Sequence, residues 1–409
     1  MTDNRRVTRM FERLGYKGNG DTTRGEFNIG RIFIVPVIFL LTACASPAAR
    51  NSSPDSEFLN PLGTPQLRFW DAFPGHTSNY YINDEFDLLL ANKQEGEPIN
   101  HLALSGGGIN GALSAGILNA WTERGDRPEF DIVSGVSTGA LVSVFAYLGH
   151  EYDAELRYYY TETPPEEMFR RNSIFRTISQ NSLVDTAGFE GKVRSVINDQ
   201  MLRDLAKERE RGRILLIGTT NLDNEKMAIW DIGNIAKVGT HEAKALIQDV
   251  IIASSSIPGA FPAKLIQIED GVERYDELHV DGGVSRQVFL IPQWLRHQLE
   301  YTPRERTIYL IRNGELKPRF RNVENDLADI SSSSISTLIR NQGVGDVEYI
   351  YHHAAEHQLN FMLAYIDEDF ERKVPESEYL RYMQSLYQYG YQKTLDGELW
   401  VDIPPSIGE

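Results

Sequence analysis

The chain has a single cysteine in 409 residues, Cys44, so disulfide frameworks, thiolate zinc clusters and redox dithiols are excluded together. Positive charge is also scarce: 41 Lys and Arg stand against 58 Asp and Glu, a formal net charge of −17. No clustered basic stripe relieves that deficit, and a phosphate backbone would be repelled, so no nucleic-acid partner is expected. Long apolar runs are nearly absent. The longest is Ile32–Ala43 (IFIVPVIFLLTA), and a helix of that length rises only about 18 Å, short of the roughly 30 Å of a bilayer core. A multi-span membrane chain is therefore excluded. What is present is ordinary for a globular protein: 41% hydrophobic, 10% aromatic and 24% charged residues. That supports a sizeable core and excludes a disordered or collagenous chain.

The short apolar run follows Arg31 and ends in Leu41-Thr42-Ala43-Cys44. Such a stretch behind a basic segment reads as a secretory signal. Its end resembles a bacterial lipoprotein lipobox, in which the cysteine is lipidated and becomes the first mature residue. The alternative is a buried strand with an incidental thiol, but Ser-, Pro- and Ala-rich sequence follows rather than a turn into a second strand. The segment before Arg31 is long and polar for a signal. The expected organisation is a lipoprotein signal peptide over 1–43, a flexible tether over 44–65 and one domain over 66–409. Residues 1–43 carry seven Lys and Arg and four Asp and Glu, so the remainder is more acidic still. Membrane association is then expected from acyl chains on Cys44, not from attraction to anionic lipid. Ala45 follows the cysteine, which by analogy with lipoprotein sorting points to the outer membrane of a bacterial envelope, on its periplasmic side.

Beyond the tether, short apolar runs alternate with helical spacing. Ile99–Ser105, Phe130–Ser134, Arg213–Thr219, Lys226–Ile232, Lys264–Ile268, Thr307–Arg312 and Phe361–Ile366 read as strands. Ile109–Arg124, Gly139–Leu148, Phe189–Arg211 and His241–Ala253 read as helices. This alternation predicts a mostly parallel sheet covered on both faces.

Three segments carry chemistry. Ser105-Gly106-Gly107-Gly108 lies between a strand and a helix, where a glycine loop can aim backbone N–H groups at a phosphate or a developing oxyanion. No acidic residue suited to a ribose ends the next strand, and no Lys-Ser/Thr pair follows, so a dinucleotide loop or a P-loop fits poorly. Gly135-Val136-Ser137-Thr138-Gly139 also joins a strand to a helix, and its flanking glycines permit the turn that lifts a serine above a sheet. A helix-capping serine is the plainer alternative. Val280-Asp281-Gly282-Gly283 ends a strand, where Asp281 is either a turn residue or a base. The glycine loop and Ser137 end successive strands 29 residues apart. A right-handed βαβ unit puts both strand ends on one sheet edge, where a nucleophile, a base and an oxyanion hole can converge on one carbonyl.

Together SGGGINGALSAGIL, GVSTGAL, ASSSIPGAFPA and VDGGV, in this order, resemble the patatin-like phospholipase family over roughly residues 99–315. The resemblance implies a three-layer α/β sandwich with no cofactor or calcium requirement. It implies a Ser–Asp dyad with Ser137 as nucleophile and Asp281 as proton acceptor, and an oxyanion hole from the N–H groups of Gly106, Gly107 and Gly108. The substrate implied is a membrane lipid or another acyl ester. Asn110 departs from the basic residue usual at that position.

The downstream histidines compete for the role of base. His297, His352, His353 and His357 make a Ser–Asp–His order formally possible, and the last three also have spacing compatible with a metal pair. With no acidic third ligand assignable, they read as an ordinary helix face and no metal site is expected. His279 is a weaker candidate, two residues before Asp281, and Ser254–Pro262 reads as a structural turn lining the site. Tyr379–Tyr391 reads as core and surface of a C-terminal amphipathic helix rather than a lipid-binding face. The expected activity is lipid acyl hydrolysis. A catalytically silent envelope binding lipoprotein, or a non-lipid esterase or thioesterase on the same dyad, are the alternatives.

Overall fold

The structure is a computed structural model that describes residues 50–54, 59–71, 82–173, 182–291, 304–375 and 377–408. Cys44, the signal segment and His297 lie outside the described residues. The strands are β1 (Arg68–Trp70), β2 (Ile99–Leu104), β3 (Ile132–Val136), β4 (Arg170–Arg171), β5 (Val184–Asp185) and β6 (Ile214–Asn221). Further along come β7 (Lys226–Asp231), β8 (Lys264–Glu269), β9 (Arg274–Asp281), β10 (Arg306–Arg312) and β11 (Asn360–Tyr365). The helices are α1 (Ile82–Ala91), α2 (Gly111–Arg124), α3 (Thr138–Leu148), α4 (Asp153–Thr161), α5 (Pro165–Met168) and α6 (Ala187–Val196). They continue with α7 (Asp199–Glu210), α8 (Ile232–Val238), α9 (His241–Ser254), α10 (Leu327–Glu356) and α11 (Tyr379–Asp396).

The central sheet runs β1-β7-β6-β3-β2-β10-β11. Its five strands from β6 to β11 pair in parallel, whereas β7, β1 and the β8–β9 hairpin join antiparallel. Side chains alternate between two apolar cores, one on each face. Leu102, Leu104, Val133, Leu215 and Ile217 enter the first, with α2, α3, α7, α9 and α11. Ala103, Ile132, Leu216, Leu310 and Leu363 enter the second, with part of α10. Strands buried on both faces are the reason these segments read as continuous apolar runs. The expected α/β sandwich with a mostly parallel sheet is what the chain forms.

Two expectations differ from the observed elements. The helix expected over Phe189–Arg211 is two helices, because Asn198 leaves the helical region and its side chain accepts from Gln200 N (2.9 Å) and Met201 N (3.0 Å), starting α7 afresh. Part of the stretch read as a tether is docked on the β8–β9 hairpin, where Ser52 bridges to Asp276 and Asn60 to Glu269, and Arg50 pairs at 2.6 Å with Asp223 in the β6–β7 turn.

Strand β6 is the element that positions the site. One of its edges is occupied by β7 over Leu216–Asn221. On the other edge it pairs with β3 up to Val136↔Gly218 and then with β9 from Thr219↔Asp281. Strand β9 therefore takes over where β3 stops, and the residue after Val136 meets the last residue of β9.

Candidate active site

Ser137 is the residue at which β3 turns into α3, and it does so with φ 56° and ψ −126°. A non-glycine residue at positive φ is strained, and such strain persists only where surrounding contacts over-determine it. Here Ser137 N donates to Ser254 Oγ (2.9 Å), which in turn donates to Gly218 O (2.7 Å). Ser254, in the segment read as structural, thus holds the turn from below. Close approach at the start of α3 requires glycine, since a Cβ on Gly139 would lie 2.4 Å from Leu104 O.

The turn aims Ser137 Oγ at Asp281, and the hydroxyl donates to Oδ2 at 2.7 Å. The other carboxylate oxygen accepts from Gly283 N at 2.7 Å, which fixes the carboxylate plane. Asp281 N is itself tied to Ser256 O at 2.9 Å. Burial pushes the Asp281 carboxyl up to about 6, against the opposing hydrogen bonds from Ser137 and Gly283. A carboxyl poised there takes a proton from a hydroxyl near neutral pH far better than one kept strongly acidic.

The glycine loop lies beside the pair: a Cβ on Gly106 would stand 3.2 Å from Ser137 Cβ. The expectation that three glycine N–H groups are free needs correction, because Gly106 N donates to Gln287 O at 3.0 Å and has no proton left for an oxyanion. The N–H groups of Gly107 and Gly108 have no acceptor among the described residues. Gly107 must be glycine for another reason: a Cβ there would lie 2.1 Å from Asn313 O.

Sequence reasoning missed what braces this loop. Arg312, buried at the end of β10, donates through Nη1 to Gly106 O (2.9 Å) and Ser105 Oγ (3.1 Å). Burial pushes its guanidinium down to about 10. Asn313 N donates to Ser105 Oγ (2.8 Å) and its Nδ2 to Ser105 O (3.0 Å). The expected strand Thr307–Arg312 stopped one residue short of that signal, an Arg-Asn pair where a parallel strand ends beside the glycines. Asn110 donates to Asn313 O (3.4 Å) and accepts from Tyr382 OH (3.2 Å), so a neutral amide occupies the position.

None of the described histidines reaches the pair. His279, enclosed behind β9, lies 2.9 Å from Thr219 Oγ1 and 2.9 Å from Glu277 Oε2, and Glu277 is also paired with Arg68. His353 on α10 and His357 just past its end have ring centroids 4.6 Å apart. Among the described residues no group of three His, Cys, Asp or Glu side chains is arranged to hold a metal ion.

A cavity of about 450 Å³ opens beside Ser137, walled by Ile109, Leu141, Met168, Phe169 and Phe261. Tyr379 and Met383, at the start of α11, also line it, while Tyr382 and Tyr387 are core. Arg170 and Arg171 lie at its edge and are exposed. A larger hollow of about 680 Å³ between α9 and the β8–β9 hairpin is edged by Glu190, Asp249 and Lys264 and contains neither Ser137 nor Asp281.

An enclosed Ser–Asp pair, unspent backbone donors and an apolar cavity form the arrangement expected of acyl transfer to a serine. Part of this chain is similar to known proteins. Residues 102–292 match the family model described as patatin-like phospholipase. Patatin-like protein 2 of Oryza sativa subsp. indica is 28% identical over 214 residues, 45% of this chain and 49% of that protein. A cUMP-AMP-activated phospholipase of Escherichia coli is 36% identical over 85 residues, 20% of this chain and 26% of that protein. The alignment thus spans about half the length, or less, of these curated relatives. Among solved structures, VipD from Legionella pneumophila is 12% identical with a TM-score of 0.36, over 73% of this chain and 67% of that one. Ser137, Asp281 and the glycine loop all fall inside the segment that matches the patatin-like phospholipase family model.

Proposed function

We propose that the protein is a serine lipid acyl hydrolase that cleaves carboxylic esters of phospholipids or lysophospholipids through an acyl-enzyme. Ionised Asp281 accepts the Ser137 proton as Oγ attacks the ester carbonyl carbon. The electron pair of the C=O moves to oxygen, where the N–H groups of Gly107 and Gly108 receive the negative charge. Collapse of the tetrahedral intermediate expels the lipid alkoxide, which takes the proton from Asp281, and leaves the acyl group on Ser137. Water then repeats the sequence, with Asp281 taking its proton and returning it to Ser137 as the fatty acid leaves. The acyl chain occupies the apolar cavity. Lipidation at Cys44 and attachment to the bacterial envelope, at the outer membrane, belong to the same proposal.

The observation that carries this reading is the 2.7 Å hydrogen bond from Ser137 Oγ to an enclosed carboxylate, with Ser137 held at positive φ. Neither feature helps a serine that merely caps a helix, and its side chain makes no cap bond. The test is fluorophosphonate labelling of the purified protein followed by peptide mapping, with Asp281→Asn alongside. The expected result is an adduct on Ser137 that is lost in the variant, and release of fatty acid from phospholipid vesicles by the wild type alone. A folded protein that takes no label would instead be a silent binding protein. An adduct surviving in Asp281→Asn would move the base to a histidine.

A further inference from the structure

Helix α10 divides sharply along its length. Its C-terminal half is built into the molecule: Val347, Ile350 and Ala354 are buried, and Asp346 accepts from Gln287 N at 2.7 Å. The half before Gln342 stands out from the body. Leu327 is 83% exposed, Leu338 69%, Ile335 55% and Ile330 44%, and Phe320, just upstream, is 94% exposed. Leu327, Ile330, Ile335 and Leu338 share one side at helical spacing.

The same half is nearly free of charge. From Ile330 to Asn341 the one ionic side chain is Arg340, in the sequence ISSSSISTLIRN. Asp329, just before it, is paired with Arg321. A helix surrounded by water is ordinarily supported by charged residues spaced three or four apart. This one carries hydroxyls instead, and Thr337 Oγ1 turns back to Ser333 O at 2.8 Å. A hydroxyl that is satisfied on its own backbone, as that of Thr337 is, suits an apolar surrounding as a water-seeking charge does not.

Further exposed apolar residues lie near the site. Where α10 meets the body, Gln342 donates to Ser285 O (2.8 Å), close behind Asp281, and the neighbouring Val284 is 48% exposed. Ile257, which lines the cavity, is exposed, as is Leu183 beside Val184 of the same wall. No helix among the described residues is long and apolar enough to cross a membrane, so an interfacial seat is the one this helix can take.

We propose that the free half of α10 is a lipid-docking element: it lies in the headgroup region of a bilayer and sets the mouth of the Ser137 cavity against that surface. This rests on the lipid-hydrolase reading but is tested apart from it. In a full-length chain carrying Cys44→Ser, an NBD fluorophore is attached at Leu338→Cys and, in a second protein, at Val272→Cys on the exposed turn of the β8–β9 hairpin. With vesicles of phosphatidylethanolamine and phosphatidylglycerol, the label at 338 should shift to the blue, brighten severalfold and be quenched by brominated lipid, while the label at 272 stays unchanged. The exposed-residue variant Leu327→Ser/Ile335→Ser/Leu338→Ser should release fatty acid from these vesicles about tenfold or more slowly, and hydrolyse p-nitrophenyl butyrate as the wild type does. An unshifted label at 338 overturns the proposal. So does a wild-type dimer that the triple variant converts to monomer, which would assign the face to a second copy. Loss of p-nitrophenyl butyrate hydrolysis in Ser137→Ala reports on the hydrolase reading alone, whatever the label does.

Discussion

Replacing Asp281 by Asn should inactivate the protein and stabilise it, and the stabilisation should depend on pH. Burial raises the Asp281 carboxyl from 3.8 to about 6. A group titrating about two pH units high costs the folded state about 3 kcal/mol once ionised, at 1.36 kcal/mol per unit. Below the unfolded value both states hold the proton and the group contributes no cost. As pH rises from 4 through 6 the folded state is driven to ionise inside the site, and the stability that the neutral carboxyl preserved is lost. Asn never ionises, and its amide oxygen still accepts from Gly283 N. Wild type and Asp281→Asn should therefore have similar urea midpoints at pH 4, corrected for any constant offset, and diverge by about 3 kcal/mol in favour of the variant by pH 8. Over the same range wild-type turnover should rise with the titration of one group near pH 6, and the variant should lose roughly a thousandfold or more in kcat. Midpoints that run parallel from pH 4 to 8 would refute the claim that an ionised, desolvated carboxylate sits beside Ser137.

Arg312→Lys keeps the charge but removes the Nη1 that donates to both Ser105 Oγ and Gly106 O; steady-state assays on p-nitrophenyl butyrate should show kcat reduced about tenfold with KM little changed, a loss on the scale of one charge-assisted hydrogen bond. Gly107→Ala forces its new methyl group against Asn313 O and displaces the loop, so fluorophosphonate labelling of Ser137 should fall by at least about tenfold while far-ultraviolet dichroism reports an intact sheet. Arg170→Gln/Arg171→Gln removes two exposed cations from the edge of the cavity; kcat/KM should fall about tenfold on phosphatidylglycerol and stay unchanged on an uncharged ester.

The parts of this molecule that are local were legible in the residues. Strand-to-helix junctions at the glycine loop and at Ser137 follow from apolar runs ending in glycine, and Asp281 follows from a strand ending in Asp-Gly-Gly. The sheet's parallel core follows from the alternation of strands and helices. What was not legible depends on long-range pairing. Nothing near Gly106 in sequence says that its N–H is claimed by Gln287, 181 residues later. Arg312 reads as the charged end of a strand until β10 is seen beside β2. The break at Asn198 was not legible, because the hydrophobic periodicity continues on either side of it and conceals a change of helix. Tyr379–Tyr391 reads as core and surface of an amphipathic helix; that Tyr379 and Met383 also line a cavity is decided by how α11 lies on α2.

The pairing along β6 has a consequence for how activity relates to folding. Ser137 and Asp281 are 144 residues apart, yet their separation is measured off on a single strand, one residue of β6 facing the end of β3 and the next facing the end of β9. Insertions and deletions elsewhere in the intervening chain leave that measurement alone. A slip of β9 by one residue would not: it would turn the carboxylate to the opposite side of the sheet and, with it, the enclosed Glu277 that pairs with Arg68. Loss of turnover and loss of that buried ion pair would then come together, so turnover serves as an internal gauge of strand register.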